Sequence, residues 1–314
     1  MKKSPVAVLG AFAMAMLCFA PASAAIAVDQ TTLIDDVRTM SSAPFAGRRT
    51  GSDGNRLTQA YLAKRFEQLG LKPFGTAYAM PFPVTARKGK IPAVEAPPGT
   101  NLVGYIAGSK EPGRYLVVSA HYDHLGTKDS VVYPGADDNA SGVAAMLAIA
   151  EHFRKNPPQH TIVFAAFDAE EMGLQGADAF VKALPFARDK LSLNLNLDMV
   201  SRNANNEIWA AGLHHNPALK EIVAAAAGRS TVKVKTGHDV PVPAKPDDDW
   251  TFSSDHGPFH KAGVPFLYFG VEDHADYHRP GDTADKINPA FYAKVASLLV
   301  DVAATADQKL DASK

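Results

Sequence analysis

Seven side chains able to hold a metal ion or move a proton recur in short, separate patches. They are His121 and Asp123 in SAHYDH, Asp138 in PGADDNASG, Glu170 and Glu171 in FDAEEMG, Asp198 in LNLDM and His278 in YHRPGDT. Two imidazoles and five carboxylates, with no thiolate near them, suit Zn²⁺, with Mn²⁺ or Co²⁺ as substitutes. The set is large enough for two divalent ions. In such hydrolytic centres one carboxylate bridges the pair and another acts as base. Charge agrees: Asp138, Glu171 and Asp198 offset three of the four positive charges, and a hydroxide offsets the fourth.

Each patch has a local logic. Side chains alternate along a strand, so His121 and Asp123 share a side, and the carboxylate is placed to take the imidazole N–H. Glu170 and Glu171 follow the apolar run TIVFAAF directly. As adjacent residues they point different ways, so one can ligate while the other serves as base. Asp198 closes an apolar strand, where an unpaired buried carboxylate is costly. Its partner is a metal ion or Arg202.

The elements that position these patches alternate in period. Residues 53–69 read as a helix with Leu62, Phe66 and Leu69 on one face and Gly70 as the stop. Residues 72–100 read as an irregular or hairpin segment. NLVGYIAG and RYLVVSAHYD read as strands separated by the turn KEPG, and LSLNLNLDM and VPFLYFG as two more. TIVFAAFD is continuously apolar, as in a sheet covered on both faces. A helix is expected over 141–153, and another after Asn288-Pro289, with Asn as N-cap. The expected fold is a single α/β domain whose mixed, mostly parallel central sheet is flanked by helices. In such sheets, sites form at the carboxyl ends of strands.

The chain opens with two lysines, an apolar run over about residues 6–20 and Ala22-Ser23-Ala24. That pattern predicts a secretory signal peptide over 1–24, with the catalytic domain over 25–314 and a periplasmic or secreted product. The sole cysteine, Cys18, falls within the leader, so the exported domain is expected to hold by its core without disulfides. Removing Lys2 and Lys3 shifts the formal charge from −1 to −3. A nearly neutral chain without basic runs argues against nucleic acid as a partner, and no membrane anchor is expected after cleavage.

As an ordered set, FAGRRTGSDGN, FEQLGLKPFG, NLVGYIAG, SAHYDHLG, PGADDNASGVAAML, FAAFDAEEMGLQGA, LNLDMVSR, SDHGPF and YHRPGDT resemble the co-catalytic zinc aminopeptidases of the bacterial leucyl aminopeptidase and aminopeptidase Y type. The resemblance implies two zinc ions, one held by His121 and Asp198 and the other by Glu171 and His278, with Asp138 bridging. If the register slips by one residue, Asp137 would be the bridge instead. It further implies a cis peptide after the bridging aspartate, Asp123 orienting His121, and Glu170 as the base that activates a bridging hydroxide. Tyr277 would steady the oxyanion, and Asp255 and His256 would support the site. The substrates implied are peptides with a free N-terminus. No room remains for the protease-associated insert that some relatives carry. A carboxypeptidase using Arg202 or Arg279, a one-zinc glutaminyl-cyclase-like enzyme and a non-catalytic binding module are the alternatives.

Overall fold

The structure, a computed structural model, describes residues 26–85, 97–242, 245 and 248–309. The expected leader lies outside the described residues. Strands β1 (Ala79–Phe82), β2 (Gly99–Ile106), β3 (Glu111–His121), β4 (Gly126–Lys128), β5 (Val131–Tyr133), β6 (His160–Phe167), β7 (Leu191–Leu197), β8 (Glu207–Ala211), β9 (Lys233–Thr236) and β10 (Phe266–Gly270) are interleaved with helices. The helices are α1 (Gln30–Met40), α2 (Asp53–Gln68), α3 (Gly142–Lys155), α4 (Gln175–Lys182), α5 (Lys220–Ala227), α6 (His256–Lys261) and α7 (Pro289–Lys309).

The central sheet runs β1-β2-β6-β3-β7-β10-β8-β9. Its middle strands β6, β3, β7 and β10 are parallel neighbours, while β2 and β8 join them antiparallel. The apolar run of β6 is buried throughout because helices cover both faces. Ile162, Phe164 and Ala166 pack into the core that contains Val37 of α1, Phe66 of α2, Met146 of α3 and Leu299 of α7. Val163, Ala165 and Phe167 meet Phe180 of α4 and Phe259 of α6 on the other face. Each buried Val, Ile or Phe contributes roughly 1.5–3 kcal/mol relative to exposure.

Strand β7 obeys the same alternation with unlike chemistry on its two faces. Leu193, Leu195 and Leu197 enter the larger core, and Asn194 and Asn196 face the other way. Asn194 Nδ2 donates to Ser119 Oγ at 2.9 Å, and Ser119 Oγ donates to Asn196 Oδ1 at 2.7 Å. Asn196 Nδ2 donates to Ser254 Oγ at 2.9 Å. This buried ladder anchors the SDHGPF segment to the middle of the sheet.

Several expected boundaries are met. Ser52 and Asn288 cap α2 and α7 by accepting the N–H of Asn55 and Phe291. KEPG is not a free turn. Strand β3 begins at Glu111, pairs with His160, and shifts register before Tyr115. Helices α1, α4, α5 and α6 and strands β8 and β9 were not anticipated. Apart from α1 they span only four to eight residues, too few to establish a period.

The FAGRRTG segment carries the deepest cation of the fold. Arg48 is fully buried, and its guanidinium donates to four carbonyls rather than to an acid. Nε reaches Tyr122 O at 2.8 Å, Nη1 reaches Met40 O at 2.8 Å and Pro134 O at 2.6 Å, and Nη2 reaches Gly135 O at 2.8 Å. It thereby joins the end of α1, the end of β3 and the turn that precedes Asp138. Burial pulls its pKa down to about 10, against the opposing pull of Asp138, Asp282 and Asp123. Arg48→Met takes the guanidinium from all four carbonyls, of which Gly135 O keeps the Ala140 N–H at 3.3 Å, and is expected to cost roughly 3–5 kcal/mol. Urea unfolding measures this, and a loss below about 1 kcal/mol would contradict the clamp.

Candidate metal centre

Strands β6, β3, β7 and β10 release their chains at one rim of the sheet. His121 is the last residue of β3, Glu170 and Glu171 follow β6, Asp198 directly follows β7, and the loop after β10 brings in His278. Asp138 enters from the irregular turn Ala136–Ser141 that leads into α3. Backbone φ is positive at Ala169, Met199 and His278, within or beside three of these positions. Such left-handed conformations in non-glycine residues cost about 1 kcal/mol or more each and collect at functional sites.

Asp138 lies at the centre, and its two oxygens face different neighbours. Oδ1 is 3.4 Å from His121 Nε2, which is 3.3 Å from Asp198 Oδ1. Oδ2 is 3.1 Å from His278 Nε2 and 3.6 Å from His124 Nδ1. Glu171 completes the second group, with Oε2 3.3 Å from His278 Nε2 and Oε1 2.7 Å from His124 Nδ1. One ligand atom from each of His121, Asp138 and Asp198 lies within 4.8 Å of the others, and the same holds for His124, Asp138 and Glu171. The two groups of donors share the Asp138 carboxylate.

Asp137, the neighbour that shared the bridging position in the sequence, turns away. Its Oδ1 accepts from Ser201 N at 2.8 Å and Ser201 Oγ at 2.6 Å, and its Oδ2 lies 3.2 Å from His274 Nε2. It pins the turn to the chain beyond β7. Asn139 adds a second tie: Nδ2 donates to Leu197 O at 2.9 Å, and Oδ1 accepts from Met199 N at 3.1 Å and Gly142 N at 2.9 Å. A Cβ at Gly142 would sit 2.3 Å from Asn139 Oδ1 and 2.4 Å from Leu197 O, so only glycine fits there. From the other side, Asp282 accepts the N–H groups of Asp137 and Asp138 at 3.0–3.1 Å. The Asp138–Asn139 peptide is cis.

Other expected partners are placed differently. Arg202 does not meet Asp198; it pairs with Asp276 at 2.7 Å and Asp282 at 3.5 Å. The Asp123 carboxylate is 3.7 Å from His121 Nδ1, beyond hydrogen-bond reach, and the ring nitrogen is closer to Asp123 main-chain O at 3.2 Å. Asp123 Oδ1 instead accepts Glu170 N at 3.1 Å and so fixes the loop of the paired glutamates. Tyr277 stacks on His278 with centroids 3.9 Å apart and lines the cleft. Asp255 is fully buried, and among the described residues its carboxylate has no hydrogen-bond partner. His256 Nε2 reaches Trp250 O at 2.8 Å.

Sequence reasoning passed over His124, Arg48, Asp282, Trp250 and Tyr268. His124 lies three residues beyond His121, in the stretch where β3 has ended and strand alternation no longer says which way a side chain points. Trp250 and Tyr268 line the cleft from distant segments.

The charges explain one another. Burial opposes protonation of His121, but Asp198 and Glu170 outweigh it and hold its pKa well above the ordinary value. Burial likewise opposes protonation of His278, and Asp138 and Glu171 lift it to about 10. Burial would raise Asp138, yet the facing imidazoles of His124, His121 and His278 hold it well below the carboxylate range. Burial raises Glu170 well above that range, reinforced by repulsion from Glu171, Asp255 and Asp198. Among the described residues no hydrogen-bond partner satisfies Glu171 Oε1 or either ring nitrogen of His124. Buried, unpartnered donors converging on carboxylates are what a divalent cation would satisfy, so the residues present fit one.

The profile of peptidase family M28 matches residues 101–303, which hold every expected ligand, and the chain belongs to that family. A probable zinc metalloprotease of Pyrenophora tritici-repentis is 40% identical over 108 residues, covering 33% of this chain and 25% of the relative. Aminopeptidase YwaD of Bacillus subtilis is 32% identical over 195 residues, covering 58% of this chain and 40% of the relative. The chain thus spans roughly a quarter to two fifths of the curated relatives it matches. The fold is shared with BSAP, a zinc aminopeptidase from Bacillus subtilis, at TM-score 0.67 and 17% identity, covering 88% of this chain and 95% of that one. It is equally shared with a Fimbriiglobus ruber glutaminyl cyclase, at TM-score 0.68 and 20% identity over the same shares.

The raised histidines give a signed expectation. A divalent ion held by His121 and His278 would take the place of their protons, so binding at neutral pH should release protons and tighten as pH rises. Calorimetry in buffers of different ionisation enthalpy reads the release; a heat independent of buffer contradicts it. For the metal-free protein the sign is opposite. The raised pKa of His278 stabilises the fold fully below its ordinary 6.5, and this contribution is lost as pH rises through about 10.

Proposed function

We propose that the chain is an exported zinc aminopeptidase with two ions, in which His121, Asp138 and Asp198 hold one and Asp138, Glu171 and His278 the other. The observation that carries this reading is the sign of the cleft. Asp138, Glu170, Glu171, Asp198 and Asp273 line it, and among the described residues no lysine or arginine does. With Asp138, Glu171 and Asp198 committed to the ions, Glu170 and Asp273 remain to attract the free α-ammonium of a peptide, and the described lining offers no lysine or arginine to hold an α-carboxylate. The cations a carboxypeptidase would need are engaged elsewhere or turned out: Arg202 is held by Asp276 and Asp282, and Arg279 is exposed.

Bound ions would supply a Lewis acid for the scissile carbonyl and lower the pKa of a water. The chain's own residues do the rest. Glu170 reaches the cleft beside the ligand groups without a metal role of its own. Its raised affinity for a proton suits a base that takes one from the attacking water and returns it to the leaving amine. Tyr277, stacked on His278 in the cleft, would donate to the developing oxyanion. Met199, Trp250, Tyr268 and Val271 give the cleft an apolar wall for the first side chain of the substrate.

The glutaminyl-cyclase fold is the same, but the presence of both ligand groups around Asp138 favours the two-ion reading. The leader pattern over 1–24 supports export.

Glu170→Gln should keep both metals and lose on the order of 10²–10⁴-fold in kcat. Metal analysis with steady-state kinetics checks this, and near-normal turnover would remove Glu170 from the role of base. Leucyl and phenylalanyl amides should be cleaved in preference to lysyl or aspartyl amides, and Nα-acetylated peptides should resist. Efficient cleavage of a blocked peptide from its C-terminus would overturn the aminopeptidase reading.

A further inference from the structure

His124 falls outside the ligand set that the family resemblance assigns, yet it sits among those ligands. The geometry points to His124 as an additional protein ligand of the second ion, beside Asp138, Glu171 and His278. This inference rests on the two-ion reading above and extends it.

Three observations carry it. First, the ring is enclosed: His124 is 1% exposed, and Gly135 backs it so closely that a Cβ there would lie 2.5 Å from His124 Cδ2. The ring has a fixed place and little room to turn. Second, Nδ1 is 2.7 Å from Glu171 Oε1 and 3.6 Å from Asp138 Oδ2, so it faces the same two carboxylates as His278 Nε2. The ring centroids of the two histidines are 5.8 Å apart and tilted by 60°, an arrangement in which both reach one point from different sides. Third, Nδ1 and Oε1 approach to 2.7 Å in an alignment that is poor for a hydrogen bond. Both atoms lack a partner of acceptable geometry among the described residues, and His124 Nε2 lacks one too. A buried imidazole that served only to hold Glu171 would align its N–H with the carboxylate. Two donors that meet off-axis beside a shared carboxylate oxygen are instead arranged around a common third atom. Tetrahedral zinc–ligand bonds of about 2.0–2.2 Å would need these two atoms to part by roughly 0.6–0.9 Å.

The consequence is unequal sites. The second ion would take four protein side chains and the first three, His121, Asp138 and Asp198, so the second should fill first and empty last.

The test uses the full-length protein loaded with zinc. Equilibrium dialysis against graded chelator, with metal analysis, should show two ions of unequal affinity in the wild type. In His124→Ala the tighter site should weaken by about 100-fold or more while the other changes little. His124→Asn keeps an N–H near Nδ1 and should not restore the affinity. Zinc-edge X-ray absorption of the wild type should find three imidazoles shared by two ions. Wild-type affinities in His124→Ala, full rescue by Asn, or only two imidazoles in the wild type would each overturn the assignment. The absorption count decides it even if the alanine variant fails to fold. A wild type that binds no zinc would defeat the two-ion reading itself, an outcome distinct from failure at His124.

Discussion

Carboxylates crowded at one buried rim are the constraint around which this protein is built. Asp123, Asp138, Asp198 and Asp255 are all under a tenth exposed, and Glu170 and Glu171 stand beside them. Like charges in a low-dielectric setting repel strongly. Three devices hold them in place. Imidazoles face the central carboxylate, the buried Arg48 adds a positive charge behind it, and backbone N–H groups bind Asp123 and Asp282. A divalent cation would complete the balance, and its binding would then be coupled to folding through one charge system.

The parallel core of the sheet makes this crowding possible. Four neighbouring strands running the same way place four chain exits at one rim, which antiparallel neighbours would divide between two. Helices on both faces keep the strands dry, so the acids that follow them start from a rigid base. The turn bearing Asp138 has no strand beneath it. It is secured by its own side chains, with Asp137 and Asn139 tied to the chain after β7 and the N–H groups of Asp137 and Asp138 tied to Asp282.

This division of labour explains why acids sit side by side in the motifs. In Asp137-Asp138 one carboxylate anchors and the other faces the donors. In Glu170-Glu171 one meets His124 and His278, while the other stays in the cleft with a raised proton affinity. Asp123 lies beside His121, 3.7 Å from its Nδ1, and also braces the neighbouring loop. Its carbonyl faces His121, and its carboxylate holds the glutamate loop.

The sequence by itself determined the five strands β2, β3, β6, β7 and β10 of the sheet, helices α2, α3 and α7, and most of the inventory of donors. Period-two alternation, caps and apolar runs are local signals, and each named residue sits within a few positions of one. His121, Glu170, Glu171 and Asp198 were legible because each lies at or just beyond a recognisable strand end. Only the tertiary structure decided which aspartate of Asp137-Asp138 faces the other ligands, that Arg202 serves Asp276 and not Asp198, and that His124 belongs to the cluster. Those outcomes depend on where loops from strands far apart in the chain converge, and on how a left-handed or irregular turn aims one side chain. No periodic pattern records that aim, because it is fixed by contacts between residues tens to more than a hundred positions apart.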